Sequence, residues 1–158
     1  MKIVVMRHGD AVSGADNDAS RALTELGLTQ SRAMASWLAP QWSKFDKVLV
    51  SPYLRAQQTW QGIAPLLPAH QVEVCDDLVP GGDASRVIDY LLALESECDS
   101  LLLVSHLPLV GHLVAELCPG VMPPMFVTSA MVAIELNDGQ GKVLWQQAPH
   151  LLGKVVKE

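Results

Sequence analysis

The sequence predicts an α/β domain of three layers, helix, sheet and helix, around a mostly parallel central sheet. Short apolar runs alternate with longer segments of helical periodicity, a pattern typical of parallel strands joined by helices. Near the C-terminus, two apolar segments flank the turn sequence Asp138-Gly139-Gln140-Gly141. Such a turn predicts an antiparallel hairpin at the end of the sheet.

The first elements show the alternation clearly. Residues 2–6 are β-branched and nearly all apolar, as expected of a strand buried on both faces. A polar loop rich in Gly, Asp, Asn and Ser follows over residues 9–20. Apolar spacing then becomes helical over residues 24–38, and Pro40 ends that helix because proline cannot continue the backbone hydrogen bonds.

The remaining elements are predicted from the same two patterns, short apolar runs for strands and helical spacing of apolar residues for helices. Asp83 is a side-chain cap for the helix that starts after it, and Pro108 suits the first turn of a later helix. The predicted elements are, in order, a strand at 47–51, a helix at 52–67, a strand at 71–75, a helix at 84–94, a strand at 101–105, a helix at 108–118 and hairpin strands at 131–136 and 143–147.

Length and composition indicate a globular protein. A chain of 158 residues is long enough to bury a core in one domain, 1–158. Its 49% hydrophobic and 18% charged residues exclude a disordered chain. Eleven Lys and Arg against 17 Asp and Glu give a net charge of −6. This acidic balance disfavours binding to nucleic acid or to an anionic membrane surface.

Location and oligomeric state follow from what the sequence lacks. No apolar run is long enough for a membrane span, and residues 1–6 are too short for a signal-peptide core. The three cysteines, Cys75, Cys98 and Cys118, have no metal-site spacing, which indicates reduced thiols. We therefore expect a cytoplasmic protein without a disulfide framework, and nothing in the sequence requires more than a monomer.

Polar side chains stand where three of the predicted strands end. The three ends carry, in order, Arg7-His8-Gly9, Ser51 to Arg55, and Ser105-His106. The carboxyl ends of parallel strands lie along one edge of a sheet, where ligands bind. If these three strands are parallel, Arg7, His8, Arg55 and His106 share one pocket.

This set of side chains suits a phosphoryl group. Arginine binds phosphate oxygens in bidentate fashion, and one histidine can donate a hydrogen bond to the same group. A neutral imidazole is a good nucleophile near pH 7, so the other histidine can attack phosphorus. Fixed guanidinium groups neutralise the charge of the transferring group, and the chemistry therefore requires neither a metal nor another cofactor.

Four segments together resemble the histidine phosphatase superfamily, which includes the phosphoglycerate mutases. The matching segments are Arg7-His8-Gly9, Leu23-Thr24 with Gly27 and Gln30, Ser51-Pro52 with Arg55, Gln58 and Thr59, and Val104-Ser105-His106. Within this superfamily the chain looks most like the SixA-type phosphohistidine phosphatases. The features are its short length and the segments 6–10, 105–111, 123–126 and 128–130.

The resemblance implies a phosphoglycerate mutase-like fold and a role for each matching residue. It implies that His8 is the nucleophile and is transiently phosphorylated. Arg7, Arg55 and His106 would hold the phosphoryl group. Gly9 and Ser51 are further substrate-binding candidates, although Ser51 could equally cap the helix that follows it.

The general acid is the main departure from the family pattern. Many members carry a Glu near the third strand, where this sequence has Asp77 as the nearest candidate and Asp76 as the next. Asp77 could instead be a solvated carboxylate of the loop, and both residues are shorter than Glu. Weak acid catalysis costs less when the leaving group is an imidazole, which departs neutral if its ring is protonated. This argument favours a phosphohistidine substrate.

Three functions remain open. The resemblance implies a phosphatase that releases inorganic phosphate from a histidine-containing phosphotransfer domain or a related phosphocarrier of a phosphorelay. A small-molecule phosphomonoesterase or mutase is the first alternative, although no lid-length insertion is visible. A non-catalytic phosphoprotein-binding module is the second. Residues 107–110 and 122–126 could form an apolar docking rim for a protein partner or a packed loop.

Overall fold

The computed structural model describes residues 1–153, which fold around one six-stranded sheet. The strands are β1 (Lys2–Arg7), β2 (Phe45–Val50), β3 (Ala69–Val74), β4 (Ser100–Ser105), β5 (Met131–Asn137) and β6 (Gln140–Gln147). Their order across the sheet is β3-β2-β4-β1-β5-β6. The first four positions are parallel, and β5 is antiparallel to both β1 and β6. The predicted mostly parallel sheet with an antiparallel C-terminal hairpin is confirmed.

Two helices cover each face of the sheet. The helices are α1 (Glu25–Leu38), α2 (Leu54–Ile63), α3 (Ala84–Leu94) and α4 (Leu109–Leu117). Alternate β1 residues enter separate cores: Val4 and Met6 pack with α1 and α2, whereas Ile3 and Val5 pack with α3 and α4. Both faces of the central strands are therefore buried, which explains their continuous apolar sequences. The predicted three-layer arrangement is confirmed.

Side-chain caps precede two of the helices, and the one at Asp83 confirms the cap predicted from the sequence. The Thr24 hydroxyl accepts the Gly27 amide at 3.0 Å at the start of α1. The Asp83 carboxylate accepts the Ser85 amide at 2.9 Å before α3. Each side chain satisfies an amide that has no partner inside its helix.

Two predicted boundaries are wrong for local reasons. The second helix ends at Ile63 and not near 67, because Pro65 has no amide hydrogen to continue the helix. Strand β6 begins at Gln140, three residues earlier than expected. The turn needs only Asp138 and Gly139, whose φ angles are 51° and 79°, as a two-residue hairpin turn requires. Across residues 1–153, no helix is long and apolar enough to cross a membrane.

Candidate active site

The candidate site lies at the carboxyl edge of β1, β4 and β2, which are adjacent in that order. The His8 amide donates to the Ser105 carbonyl at 2.9 Å, and the Ser51 amide donates to the Val104 carbonyl at 3.1 Å. These bonds extend the strand pairing past the strand ends. They bring the residues that follow β1, β2 and β4 together, as the parallel sheet predicts.

The imidazole of His8 is held in one tautomer. Its Nδ1 lies 2.7 Å from the Gly9 carbonyl oxygen, which can only accept a hydrogen bond, so Nδ1 carries the proton. The other nitrogen, Nε2, accepts a hydrogen bond from Nε of Arg55 at 3.2 Å. The lone pair on Nε2 is therefore directed into the site, where it can act as a nucleophile.

Burial and neighbouring charge keep His8 neutral. The side chain is 5% exposed. The pKa of His8 is lowered to about 4, mainly by burial; the hydrogen bond to Gly9 opposes this shift, and the Arg55 and Arg7 charges add to it. At neutral pH the imidazole is unprotonated at Nε2, which is the form that can attack phosphorus.

Gly9 and Thr59 connect the His8 loop to α2. The Gly9 amide donates to Thr59 Oγ1 at 3.0 Å, and that hydroxyl donates to the Arg55 carbonyl at 2.7 Å. A Cβ atom at position 9 would lie 2.8 Å from the Gly27 carbonyl oxygen, closer than packing allows. Glycine at this position therefore lets the loop lie directly against the start of α1.

Arg55 projects from the first turn of α2 and is 3% exposed. Its guanidinium makes three contacts besides the one to His8. Nη1 donates to the Asp18 carbonyl at 2.7 Å, Nη2 lies 3.2 Å from Asp18 Oδ2, and Cζ lies 5.1 Å from the Tyr53 ring centroid. Most of the donors of Arg55 are therefore aligned by neighbours before any ligand arrives.

His106 lies beside His8, with ring centroids 5.0 Å apart. Its Nε2 is 2.7 Å from the Ser51 hydroxyl, which also accepts the Tyr53 amide at 3.2 Å. Its Nδ1 is buried and has no hydrogen-bond partner within residues 1–153. If the Ser51 hydroxyl donates to Nε2, Nδ1 carries the proton and can donate to a ligand. Ser51 thus contacts His106 directly.

The same forces act on His106 as on His8. Burial first, and then the electrostatic influence of His8 and Arg55, lowers the pKa of His106 to about 3. A neutral His106 can donate a hydrogen bond without adding positive charge to the site. The positive charge of the site then comes from the arginines.

Arg7 reaches the site from the end of β1. Its Nη1 donates to the Phe126 carbonyl at 2.9 Å, and its buried Nε has no partner in the described part of the chain. Burial and the nearby Arg55 charge lower the pKa of Arg7. Beside it, Phe126 is buried, whereas Met122 and Met125 are 82% and 83% exposed. Segment 122–126 therefore places two exposed methionines beside a buried phenylalanine.

The two acid candidates lie outside this group of contacts. Asp77 forms an ion pair with Arg86 at 3.3 Å, and the Arg86 side chain is 72% exposed. Asp76 is also exposed. Neither makes a hydrogen bond to His8 or His106 among the described residues. The assignment of a general acid to Asp77 or Asp76 stays a prediction.

Sequence reasoning missed Asp18 and Arg21. Both lie in or beside the polar loop, and the Asp18 carboxylate bridges Arg55 and Arg21. Asp18 belongs to a short 3-10 turn, Asp18–Ser20, that has no buried residues. Nothing in a Gly- and Asp-rich loop separates a solvated carboxylate from one that returns to the site.

Comparison with known proteins identifies the family. The family model of the histidine phosphatase superfamily (branch 1) matches residues 3–79. Over 152 residues, 94% of both chains, the sequence is 48% identical to phosphohistidine phosphatase SixA of Escherichia coli (strain K12). This chain belongs to the histidine phosphatase superfamily. The SixA-type resemblance and the prediction of a phosphatase, a hydrolase, are confirmed.

Further relatives agree with this SixA-type membership. A SixA homolog from Haemophilus influenzae is 36% identical over 157 residues, covering 94% of this chain and 96% of the homolog. The solved structure of the protein histidine phosphatase SixA complexed with tungstate has a TM-score of 0.93 at 48% identity. The structural match covers 96% of this chain and 99% of the SixA chain in that structure. The phosphoglycerate mutase-like fold predicted from the sequence is confirmed.

The two neutral histidines of this SixA-type site make stability depend on pH. Between the ordinary His pKa of 6.5 and the folded value of about 4, the unfolded chain binds more protons at His8. Stability therefore falls as the pH falls through this window. We expect His8 to account for about 2 kcal/mol of the unfolding free energy lost between about pH 7.5 and about pH 5.

Urea unfolding of the wild type and the His8→Ala variant at both pH values measures this contribution. The variant should lose less stability over the interval than the wild type, because it lacks one of the shifted groups. An identical loss in both proteins would show that His8 has an ordinary pKa in the folded state.

Proposed function

We propose that this protein removes phosphoryl groups from phosphohistidine on another protein, through a phosphorylated His8. The observation that carries the proposal is the fixed His8 tautomer: Nδ1–H is bound to Gly9, and Nε2 lies beside the Arg55 guanidinium. A nucleophile adjoining fixed cations is what phosphoryl transfer without a metal requires. The 48% identical relative is named a phosphohistidine phosphatase, which supports the same substrate.

In the first step, Nε2 of His8 attacks phosphorus. The Nε2–P bond forms while the P–N bond of the substrate breaks, and the electron pair of that bond stays on the departing imidazole. A substrate ring that already carries a proton on its other nitrogen leaves as neutral histidine. Arg55 exchanges its hydrogen bond to Nε2 for one to a phosphoryl oxygen. The arginines neutralise the negative charge of the phosphoryl oxygens during the transfer.

In the second step, water attacks the phosphorus of phospho-His8. The new P–O bond replaces the Nε2–P bond, and Nε2 recovers its lone pair. Inorganic phosphate leaves with the oxygen and both protons of the water, and it then loses one proton to solvent near pH 7. Nδ1 keeps its proton on the Gly9 carbonyl throughout, so the imidazole returns to its starting tautomer.

The partner is a histidine-containing phosphotransfer domain or a related phosphocarrier of a phosphorelay in the cytoplasm. Residues 12–20 beside the site are exposed, as are Met122 and Met125. This surface supports access by a histidine carried on a folded protein, and the exposed methionines support an apolar contact around it. A monomer is proposed, because Gly9, Ser51 and Asp18 of the same chain already position His8, His106 and Arg55.

The test is phosphate release from a histidine-phosphorylated phosphotransfer domain, run beside a panel of small phosphomonoesters with one enzyme stock. We expect rapid release from the phosphoprotein and slow release from the esters. Rapid release from the esters alone would contradict the proposal and indicate a small-molecule phosphatase. In that case Asp76 and Asp77 are the next residues to replace, because an alkoxide leaving group needs an acid.

A further inference from the structure

Asp18 brings a carboxylate to the candidate site from an exposed loop. Its backbone carbonyl accepts from Arg55 Nη1 at 2.7 Å, and its Oδ2 lies 3.2 Å from Arg55 Nη2. Its side chain is 54% exposed, whereas that of Arg55 is 4% exposed. An exposed, acidic residue therefore contacts the most buried cation of the site.

The guanidinium of Arg55 contacts both His8 and Asp18. Nε and Nη2 point the same way, and together they commonly hold two oxygens of one phosphate or carboxylate. Here Nε faces His8 Nε2, and Nη2 faces Asp18 Oδ2. A phosphoryl group joined to His8 Nε2 brings its oxygens to this same edge. Asp18 and the phosphoryl group therefore share the positive charge of one guanidinium, and their negative charges repel.

Arg21 holds the carboxylate in this position. Its Nη1 donates to Asp18 Oδ1 at 2.9 Å, and its Nε is fixed by the Val12 carbonyl at 2.7 Å. The Asp18 carboxylate thus bridges two guanidiniums, much as a phosphate would. Its hydrogen bond to Arg21, followed by that to Arg55, lowers the pKa of Asp18, so the competing group is ionised at neutral pH.

We propose that Asp18 is a specificity-determining residue that selects against free phosphate and small phosphate esters. The proposal rests on the proposed function for the choice of protein substrate. A small phosphate has only its own charge with which to displace Asp18 from Arg55. A phosphoprotein has additional contact surface around the phosphoryl group, and that contact offsets the displacement.

The substitution Asp18→Asn removes the charge while keeping the shape of the side chain. The backbone hydrogen bond from Arg55 Nη1 to the Asp18 carbonyl remains, so Arg55 stays oriented. Asp16→Asn is the matched control, since Asp16 is an exposed carboxylate of the same loop without a hydrogen bond to Arg55 in the described structure. Asp18→Ser is a second variant, because serine lacks the amide oxygen with which asparagine could still reach Nη2.

The first measurement is binding of inorganic phosphate by isothermal titration calorimetry. We expect both Asp18 variants to bind phosphate about fivefold more tightly than the wild type, the size of one exposed ion pair. Asp16→Asn should change binding less than Asp18→Asn does. Unchanged or weaker phosphate binding in folded Asp18 variants, checked by thermal unfolding, would overturn the proposal. Equal tightening in Asp16→Asn would also overturn it, because the cause would then be net charge alone.

The second measurement is the ratio of kcat/KM for a small phosphomonoester to that for the phosphohistidine protein. We expect this ratio to rise about fivefold in Asp18→Asn. An unchanged ratio would overturn the specificity role. The calorimetric experiment needs no turnover, so an absence of phosphohistidine hydrolysis would count against the proposed function and leave the competition at Arg55 tested separately.

Discussion

Replacing His8 by alanine should lower phosphate release from a phosphohistidine substrate by about four orders of magnitude or more, because it removes the imidazole proposed to accept the phosphoryl group. His8 is the imidazole whose Nε2 lone pair is directed at Arg55 while Nδ1 is bound to Gly9. Single-turnover assays with phosphoprotein in limiting amount measure the loss. Thermal unfolding of the same samples establishes that the variant is folded.

His112→Ala is the matched control for this experiment. His112 is exposed on α4 and makes no hydrogen bond to His8 or Arg55 among the described residues. Its replacement should leave phosphate release within about twofold of the wild type, as expected of a surface position. A folded His8→Ala variant that keeps a tenth of the wild-type rate would rule out His8 as the nucleophile.

Arg55→Lys is expected to lower kcat about 100-fold to 1000-fold, the loss typical of removing one charge-stabilising donor from an active site. Lysine keeps the positive charge but has no planar edge that can pair with two oxygens. It also cannot reproduce the simultaneous contacts to His8 Nε2 and to Asp18. Steady-state kinetics with the phosphoprotein substrate separate the loss in kcat from any change in KM.

Arg86→Lys serves as the control for the arginine substitution. Arg86 is 72% exposed and pairs with Asp77 at the surface, so the same chemical change should alter kcat less than about twofold. A normal kcat in folded Arg55→Lys would mean that charge alone suffices. The bidentate role of the guanidinium would then have to be abandoned.

Sequence reasoning placed His8, Arg55 and His106 together because polar residues at the ends of apolar runs mark the carboxyl edge of a parallel sheet. The alternation of strands and helices is also predicted from the sequence. Both faces of β1 and β4 are buried, and their sequences are therefore continuously apolar. The errors lay at boundaries. Pro65 ended α2 early, and the two-residue turn at Asp138 and Gly139 lengthened β6.

The contact between Asp18 and Arg55 could not be predicted, because it joins residues 37 positions apart in the chain. A carboxylate in a polar loop is ordinarily solvated, and only the folded position of α2 brings Arg55 to it. The hydrogen bonds of Ser51 to His106 and of Arg7 to Phe126 also join residues far apart in the chain, so the sequence does not predict them. The sequence pattern predicts which residues approach the site, whereas the hydrogen bonds among them depend on long-range packing.

A phosphorylated His8 is the intermediate on which the proposed reaction depends. Rapid mixing of the protein with a histidine-phosphorylated phosphotransfer domain, a quench within the first turnover at neutral or alkaline pH, and peptide mass spectrometry would locate the phosphoryl group. We expect one phosphoryl group on the peptide containing His8, appearing before inorganic phosphate and absent from His8→Ala. Phosphate release with no phosphoryl detected at His8, or a phosphoryl on another residue, would contradict the proposed reaction.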